Sequence, residues 1–391
     1  MRFEPTAIVG MGAVTALGVG VSPLWSGLIG GLRPFGRYSA VGAEACRVNI
    51  AAEVTAELEH HGSCRSIDFG VVAAREALAA TRCDLNRERV GLVMGSTAMG
   101  DAAIEAALEA DASPLVWGAS SKGLLVDELC QALRIVGPRQ TINTACSSGA
   151  NAIALICQGL QAGDYDYGLA IGCDEISRFT YSGFHALRAL DPNPCKPFDR
   201  MRRGMTLGEG AACLLLRRLS DARKRRDPIL GWVVGIGASC DAYHLTAPDP
   251  DGVGAALAIE RALGSANIDA KDIGIINAHG TGTPLNDAAE VAGIERALGA
   301  SAGSCPLHSV KASTGHCLGA AGAIESVVAV LSLCSGLVPA TAGLCDCEFE
   351  NRVDCVRHQP RAVTARFALS NSFGFGGNNA SLVFSRPECI Q

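Results

Sequence analysis

What this chain has little of narrows it first. Only 18% of its 391 residues are charged and the net charge is −6, so no basic surplus draws a polyanion such as nucleic acid. The one basic run, "SDARKRRDP" at 220–228, stands alone between Asp221 and Asp227 without interleaved aromatics and reads as a solvated helix end. No apolar run is seen to approach the ~18 residues of a bilayer span, so no membrane partner is expected. The opening "MRFEPTAIVGMG" enters a strand at once, without a signal-peptide pattern. A G-x-x-x-x-G-K-[ST] loop is missing. "IVGMGAVTALG" imitates a dinucleotide fingerprint, but its third glycine is misplaced and no acidic partner follows about 20 residues on.

Cysteine and glycine are the opposite case. Seventeen cysteines, an odd number, are scattered through apolar segments without framework spacing, which fits buried reduced thiols in a cytoplasmic protein. "CDCEFENRVDCVRH" gathers Cys345, Cys347, Cys355 and His358, but its C-x-C opening and missing second half read as ordinary loop and strand; no metal is expected. Glycine, at 46 of 391, is about 12% against a usual ~7%, which predicts tight turns and close backbone approaches.

Strands alternate with amphipathic helices throughout, an α/β pattern, and the order of elements occurs twice. "TAIVGMGAVTALG" (6–18) echoes "WVVGIGASCDAY" (232–243), and "VGLVMGSTAMG" (90–100) echoes "IGIINAHGTGT" (273–283). "TINTACSSGANAIALI" (141–156) corresponds to "HSVKASTGHCLGAAGAIESVVAVL" (308–331), and "GEGAACLLLRR" (208–218) to "GFGGNNASLVFSR" (374–386). Two halves, 1–226 and 227–391, are therefore expected to pack about a pseudo-two-fold axis. Their strand ends would then meet in one crevice, where α/β proteins place sites.

The candidate residues cluster at those strand ends. Cys146 lies at a strand-to-helix junction among Ala, Ser and Gly; a helix starting near 146 would lower its pKa toward thiolate. On that segment alone an inert buried cysteine reads as well. His279 follows the apolar strand "IGII", and Lys311 and His316 stand five apart before a small-residue helix. His60, His61, His185, His308 and His358 read as satisfied or exposed. One cysteine and two histidines at convergent strand ends imply covalent catalysis assisted by imidazoles. "SNSFGFGGNN" (370–379), with Gly374, Gly376 and Gly377, suits a backbone donor loop for an oxyanion, with Phe373 or Phe375 as a movable wedge.

Together "TACSSGA", "GEGAACLLL", "SCDAYHLTAP", "NAHGTGTPLNDAAE", "KASTGHCLGAAGAIESV" and "NSFGFGGNNASLVF", in that order over about 6–385, resemble the elongating β-ketoacyl-acyl-carrier-protein synthases of the thiolase superfamily. The resemblance implies a duplicated αβαβα layered fold and a decarboxylative Claisen condensation. Cys146 would take an acyl chain as a thioester. His279 and His316 would donate hydrogen bonds to the malonyl thioester carbonyl, with Lys311 and its anchor Glu325 holding them. The backbone N–H groups of Cys146 and Phe375 would form the oxyanion hole. Thr281 and Thr283 would bind the phosphopantetheine arm, and Phe184, Thr246, Gly374 and Gly376 the substrate, with Phe375 as a gate moving against 241–246. Asp287 and Glu290 would be structural acids behind the site, and Arg65 and Arg188 a carrier-protein patch.

The resemblance further implies no permanently bound cofactor, substrates carried on the phosphopantetheine of acyl carrier protein, and a homodimer or a heterodimer with a chain-length-factor-like subunit. Degradative thiolases acting on coenzyme A use a second cysteine in a Cys-Gly context, whereas Cys389 lies in an unrelated "RPECIQ" tail. Non-catalytic chain-length factors lack the nucleophile, which is intact here. Three departures from the family pattern stand out: Asn378 where Thr is common, Ser66 where a basic residue is common, and an atypical 100–125 segment, where acyl pockets are usually lined.

Overall fold

The structure, a computed structural model, describes residues 4–39, 46–81, 83–85, 87–109 and 122–387. Residues 110–121 of the atypical 100–125 segment, and Cys389, lie outside the described residues.

Ten strands build the core. The first five are β1 (Thr6–Thr15), β2 (Val90–Gly95), β3 (Arg139–Ile142), β4 (Tyr167–Asp174) and β5 (Gly210–Arg218). From the edge inward they run β3-β2-β4-β5-β1, parallel across β3, β2 and β4 and antiparallel from β4 to β1. The second five are β6 (Gly231–Cys240), β7 (Ile273–Asn277), β8 (Pro306–His308), β9 (Phe367–Gly374) and β10 (Asn378–Ser385). Their order is β8-β7-β9-β10-β6, with the same pattern of directions. This is the duplicated order foreseen from the echoes. β1 joins β6 antiparallel at Thr6↔Val233, so the two sheets meet at equivalent strands.

The helices make the remaining layers. α1 (Arg65–Ala79) covers the outer face of the first sheet. α2 (Ser148–Ala162) and its counterpart lie between the sheets. Further along come α3 (Arg178–Ala186), α4 (Val253–Ala266), which covers the outer face of the second sheet, α5 (Pro284–Leu298) and α6 (Ala321–Ser335). α6 is the central partner of α2. Because helices cover both faces, the inner strands read as unbroken apolar runs rather than alternating ones. In β1, Ala7 and Val9 join the outer cluster with Phe69 and Ala73, while Ile8 joins the central cluster with Ile324 and Val327.

Residues 318–335 correct one expectation. Their mean hydropathy of 1.8 reaches that of a membrane span, despite Glu325 within the run. The run is apolar because α6 is enclosed by protein along most of its length, and 83% of it is buried. Close packing of α2 on α6 explains the small residues around Cys146. A Cβ on Gly149 would fall 2.8 Å from Ala323 N, and one on Gly322 would fall 2.7 Å from Ala150 N. The helices cross backbone to backbone there, which brings the segments that lead into both helices side by side.

Candidate active site

The turn before α2 presents the cysteine. Ala145 adopts φ +52°, a left-handed conformation rare for a residue with a side chain, and thereby turns the chain from β3 toward α2. Ser148 Oγ accepts from Thr144 N (2.9 Å) and donates to Ala145 O (2.6 Å), while Ser147 Oγ donates to Thr144 O (2.8 Å). The two serines therefore wire the turn. Cys146 Sγ emerges 3.1 Å from His316 Nε2, and the rings of His316 and His279 lie 5.2 Å apart, edge to face.

Both imidazoles are fixed from behind. Leu318 N–H donates to His316 Nδ1 (3.1 Å), and the Lys311 ammonium donates to His279 Nδ1 (3.1 Å) and to His279 O (2.6 Å). An occupied Nδ1 acceptor places the proton on Nε2 in each ring. Burial and the Lys311 charge hold both rings well below the usual histidine range, so they are neutral Nε2–H donors. Lys311 is itself buried and ion-paired with Glu325, whose other oxygen accepts from Ser372 (3.4 Å). Burial raises the Glu325 carboxyl to about 7, against the pull of Lys311.

The thiol departs from expectation. α2 starts at Ser148, so Cys146 lies in the turn that leads into the helix rather than in its first turn. Burial dominates instead and pushes Cys146 up to about 11, with the Lys311 charge and the Phe375 backbone N–H pulling only partly back. At neutral pH the resting group is a thiol. Among the described residues, Cys146, His279 and His316 are the one set whose ligand atoms lie close enough to share a metal ion, within 4.8 Å of one another. With both Nε2 positions protonated, that set is arranged for donating hydrogen bonds rather than for ligation.

A cavity of about 370 Å³ opens over these groups. Its walls include Thr281, Thr283, Phe184, Thr246, Gly374 and Phe375, all anticipated from sequence, and its rim includes Arg188. Thr281 and Thr283 hydroxyls are 2.9 Å apart, and Thr283 also caps α5. Phe375 packs on Phe184 at 5.6 Å. The loop through Gly376 is tied to 241–246 by a bond from Gly376 N–H to Leu245 O (2.8 Å). Asn378, the departure beside it, donates to Phe375 O at 3.0 Å. Glu290 accepts from His279 N (2.8 Å) and Gly280 N (2.7 Å), and Asp287 from Gly282 N (3.1 Å) and Phe198 N (2.8 Å). These acids shape the backbone behind the histidine.

Arg65 does not line this cavity. Its guanidinium pairs with buried Glu209 (2.8 Å) and donates to Val54 O (2.9 Å), while the side chain remains 45% exposed on the surface of the first half. His308, expected to be satisfied or exposed, is buried with neither ring nitrogen hydrogen-bonded. Sequence reading missed Asp174, the last residue of β4, which accepts from Ser96 Oγ and from the N–H groups of Thr97, Ala98 and Gly319. It also missed Arg203, Asn286 and Leu285 on the cavity wall. An acid closing the apolar strand "GLAIGC" was the available signal for Asp174.

A doubled thiolase-like fold with a buried cysteine facing two neutral imidazole donors defines a condensing-type acyltransferase. The chain belongs to the β-ketoacyl synthase family: residues 3–222 match the family's N-terminal domain and 230–344 its C-terminal domain. It is 35% identical to 3-oxoacyl-[acyl-carrier-protein] synthase 2 of Vibrio harveyi, over 99% of each chain. It is 33% identical to the Staphylococcus aureus (strain COL) protein of that name, over 97% of this chain and 98% of that one. Among solved structures it is similar to the ishigamide ketosynthase/chain length factor (TM-score 0.90, 29% identity, 99% of this chain and all of that one). It is also similar to the ketosynthase ApeO in complex with its chain length factor ApeC from Xenorhabdus doucetiae (TM-score 0.82, 30% identity, 98% of each).

Proposed function

We propose that this chain catalyses decarboxylative Claisen condensation of a Cys146-bound acyl group with malonyl-acyl carrier protein, giving 3-oxoacyl-acyl carrier protein. The observation that carries the reading is the convergence of Cys146 with two Nε2–H donors whose tautomers are set by Lys311 and by Leu318 N–H. In the first half-reaction Sγ attacks the acyl thioester carbonyl. The carrier's pantetheine sulfur departs and takes up the cysteine's proton, and the N–H groups of Cys146 and Phe375 receive the oxyanion. In the second, a malonyl thioester carbonyl sits between His279 and His316. The carboxylate leaves as carbon dioxide, and its electron pair forms an enolate stabilised by both donors. That carbon then attacks the acyl-Cys146 carbonyl; the carbon–sulfur bond breaks, and the departing thiolate takes a proton from solvent, which restores the thiol.

Thr281 and Thr283 suit the amides of a phosphopantetheine arm, and Arg188 at the rim suits its phosphate and the acidic face of a carrier protein. Arg65 would join that patch only by way of its exposed edge. No resident cofactor is required by this scheme. We read 1–226 as the half carrying the nucleophile and 227–391 as the half carrying the histidines, Lys311 and the glycine-rich loop, a division supported by the family-model boundary between 222 and 230.

The likeness to ketosynthases paired with chain length factors favours a second reading for the assembly, a heterodimer in a specialised polyketide pathway rather than a homodimer in fatty-acid elongation. Light scattering of the protein alone and after co-expression with such a subunit separates the two. For the chemistry, Cys146→Ala abolishes the acyl adduct seen by intact-protein mass spectrometry. His316→Ala keeps the adduct but slows malonyl decarboxylation by about 10²–10³. Retained acylation in the first variant, or unchanged decarboxylation in the second, overturns the reading.

A further inference from the structure

Lys311 and His316 sit five residues apart on a segment whose own support lies elsewhere in the chain. The helix Lys311–Thr314 is four residues long and ends at Gly315, with φ +70°. That ending turns His316 out of helical register: its N–H goes to Thr206 O (2.8 Å) and not back to Ala312 O. The Ala312 carbonyl is thereby left without the donor a continuing helix would supply. Arg33, 279 residues earlier, supplies one: its Nε donates to Ala312 O (3.0 Å) and its Nη2 to Cys195 O (2.7 Å). The Cys195 thiol in turn donates to Lys311 O (3.3 Å), and Cys195 N–H donates to Thr206 Oγ1 (2.9 Å). A Cβ on Gly343 would fall 2.3 Å from Arg33 Nη1, so the neighbouring loop leaves space for the guanidinium.

We infer that Arg33 is a positioning residue for the decarboxylating half-reaction: with Cys195 it grips the carbonyls of the Lys311–Thr314 turn and so sets Lys311 and His316 against the substrate. This rests on the function proposed above. A guanidinium fits because two carbonyls must be held at once by charge-assisted bonds in fixed geometry. The acyl-transfer half-reaction uses Cys146 and the loop at Phe375, which Arg33 does not touch, so the two half-reactions separate the role from general support of the fold.

The test compares wild type, Arg33→Met, Arg33→Lys and Cys195→Ala in acyl transfer to Cys146, read by intact mass, and in carbon dioxide release from malonyl-carrier protein, with thermal melting alongside. Arg33→Met is expected to lower kcat for decarboxylation about tenfold or more, as sub-ångström misplacement does, with KM and acyl transfer changed less than about twofold. Arg33→Lys, able to reach one carbonyl, recovers part of the loss, and Cys195→Ala shows a smaller loss of the same kind. Both half-reactions unchanged, or both falling in proportion to lost folded protein, overturns the inference. If Arg33→Met does not fold, the ratio of the two half-reactions in Arg33→Lys and Cys195→Ala decides it. Wild type lacking both activities would instead defeat the proposed function.

Discussion

Cys146 behaves as burial dictates, not as its place near a helix suggested. The helix N-terminus lies beyond it, and desolvation outweighs the attraction of Lys311. With the thiol pushed up to about 11, the thiolate fraction rises about tenfold per pH unit through the neutral range. Alkylation of Cys146 by iodoacetamide, followed by peptide mass spectrometry, is therefore expected to climb about a hundredfold from pH 7 to 9. A plateau reached by pH 8 contradicts this. The low resting nucleophilicity is compatible with turnover because the Phe375 N–H meets the sulfur where charge develops and the Lys311 charge, acting at a distance, favours the thiolate.

At the scale of elements, the crossing of α2 and α6 places the Cys146 and His316 segments together. Gly149 meets Ala323 N and Gly319 O, both backbone atoms that no side-chain rearrangement moves aside. Gly149→Ala is expected to cost about 1–3 kcal/mol of stability through overpacking and to spread the distance between Cys146 and His316. Thermal melting together with the acyl-transfer rate checks this, and a variant with wild-type values for both would show that the contact yields. The repetition of "SSGANA" and "GAAGA" made small residues legible in both halves, but not that they pack against one another.

At the scale of the whole molecule, His308 reveals a cost that only the assembled sheet creates. It ends β8, paired with Asn277 of β7 at one side, with the Asp354–Cys355 strand following at the other, and burial alone lowers its pKa to about 3. The unfolded chain takes up a proton near 6.5 while the folded one does not, so stability is full above about 6.5 and falls as pH drops toward 3. At pH 5 this amounts to about 2 kcal/mol. His308→Leu is expected to flatten the acid limb, with a melting temperature at pH 5 closer to its pH 7 value than in wild type. An identical acid limb in both proteins would contradict the burial account.

The sequence by itself determined the α/β class, the doubled order of elements, and the residue types of the site, because buried strands, small-residue turns and paired motifs are written in local pattern. Cys146, His279, Lys311, His316 and Phe375 were legible that way, each standing near a strand end, whereas Glu325 was legible only through the family resemblance. Only the tertiary structure decided the ionisation of the thiol, the tautomers of the imidazoles, the pairing of Arg65 with buried Glu209 and the orphaned state of His308. It alone joined Arg33 to Ala312 across 279 residues. These properties depend on which groups share a desolvated space, and that follows from packing between distant segments rather than from neighbours along the chain.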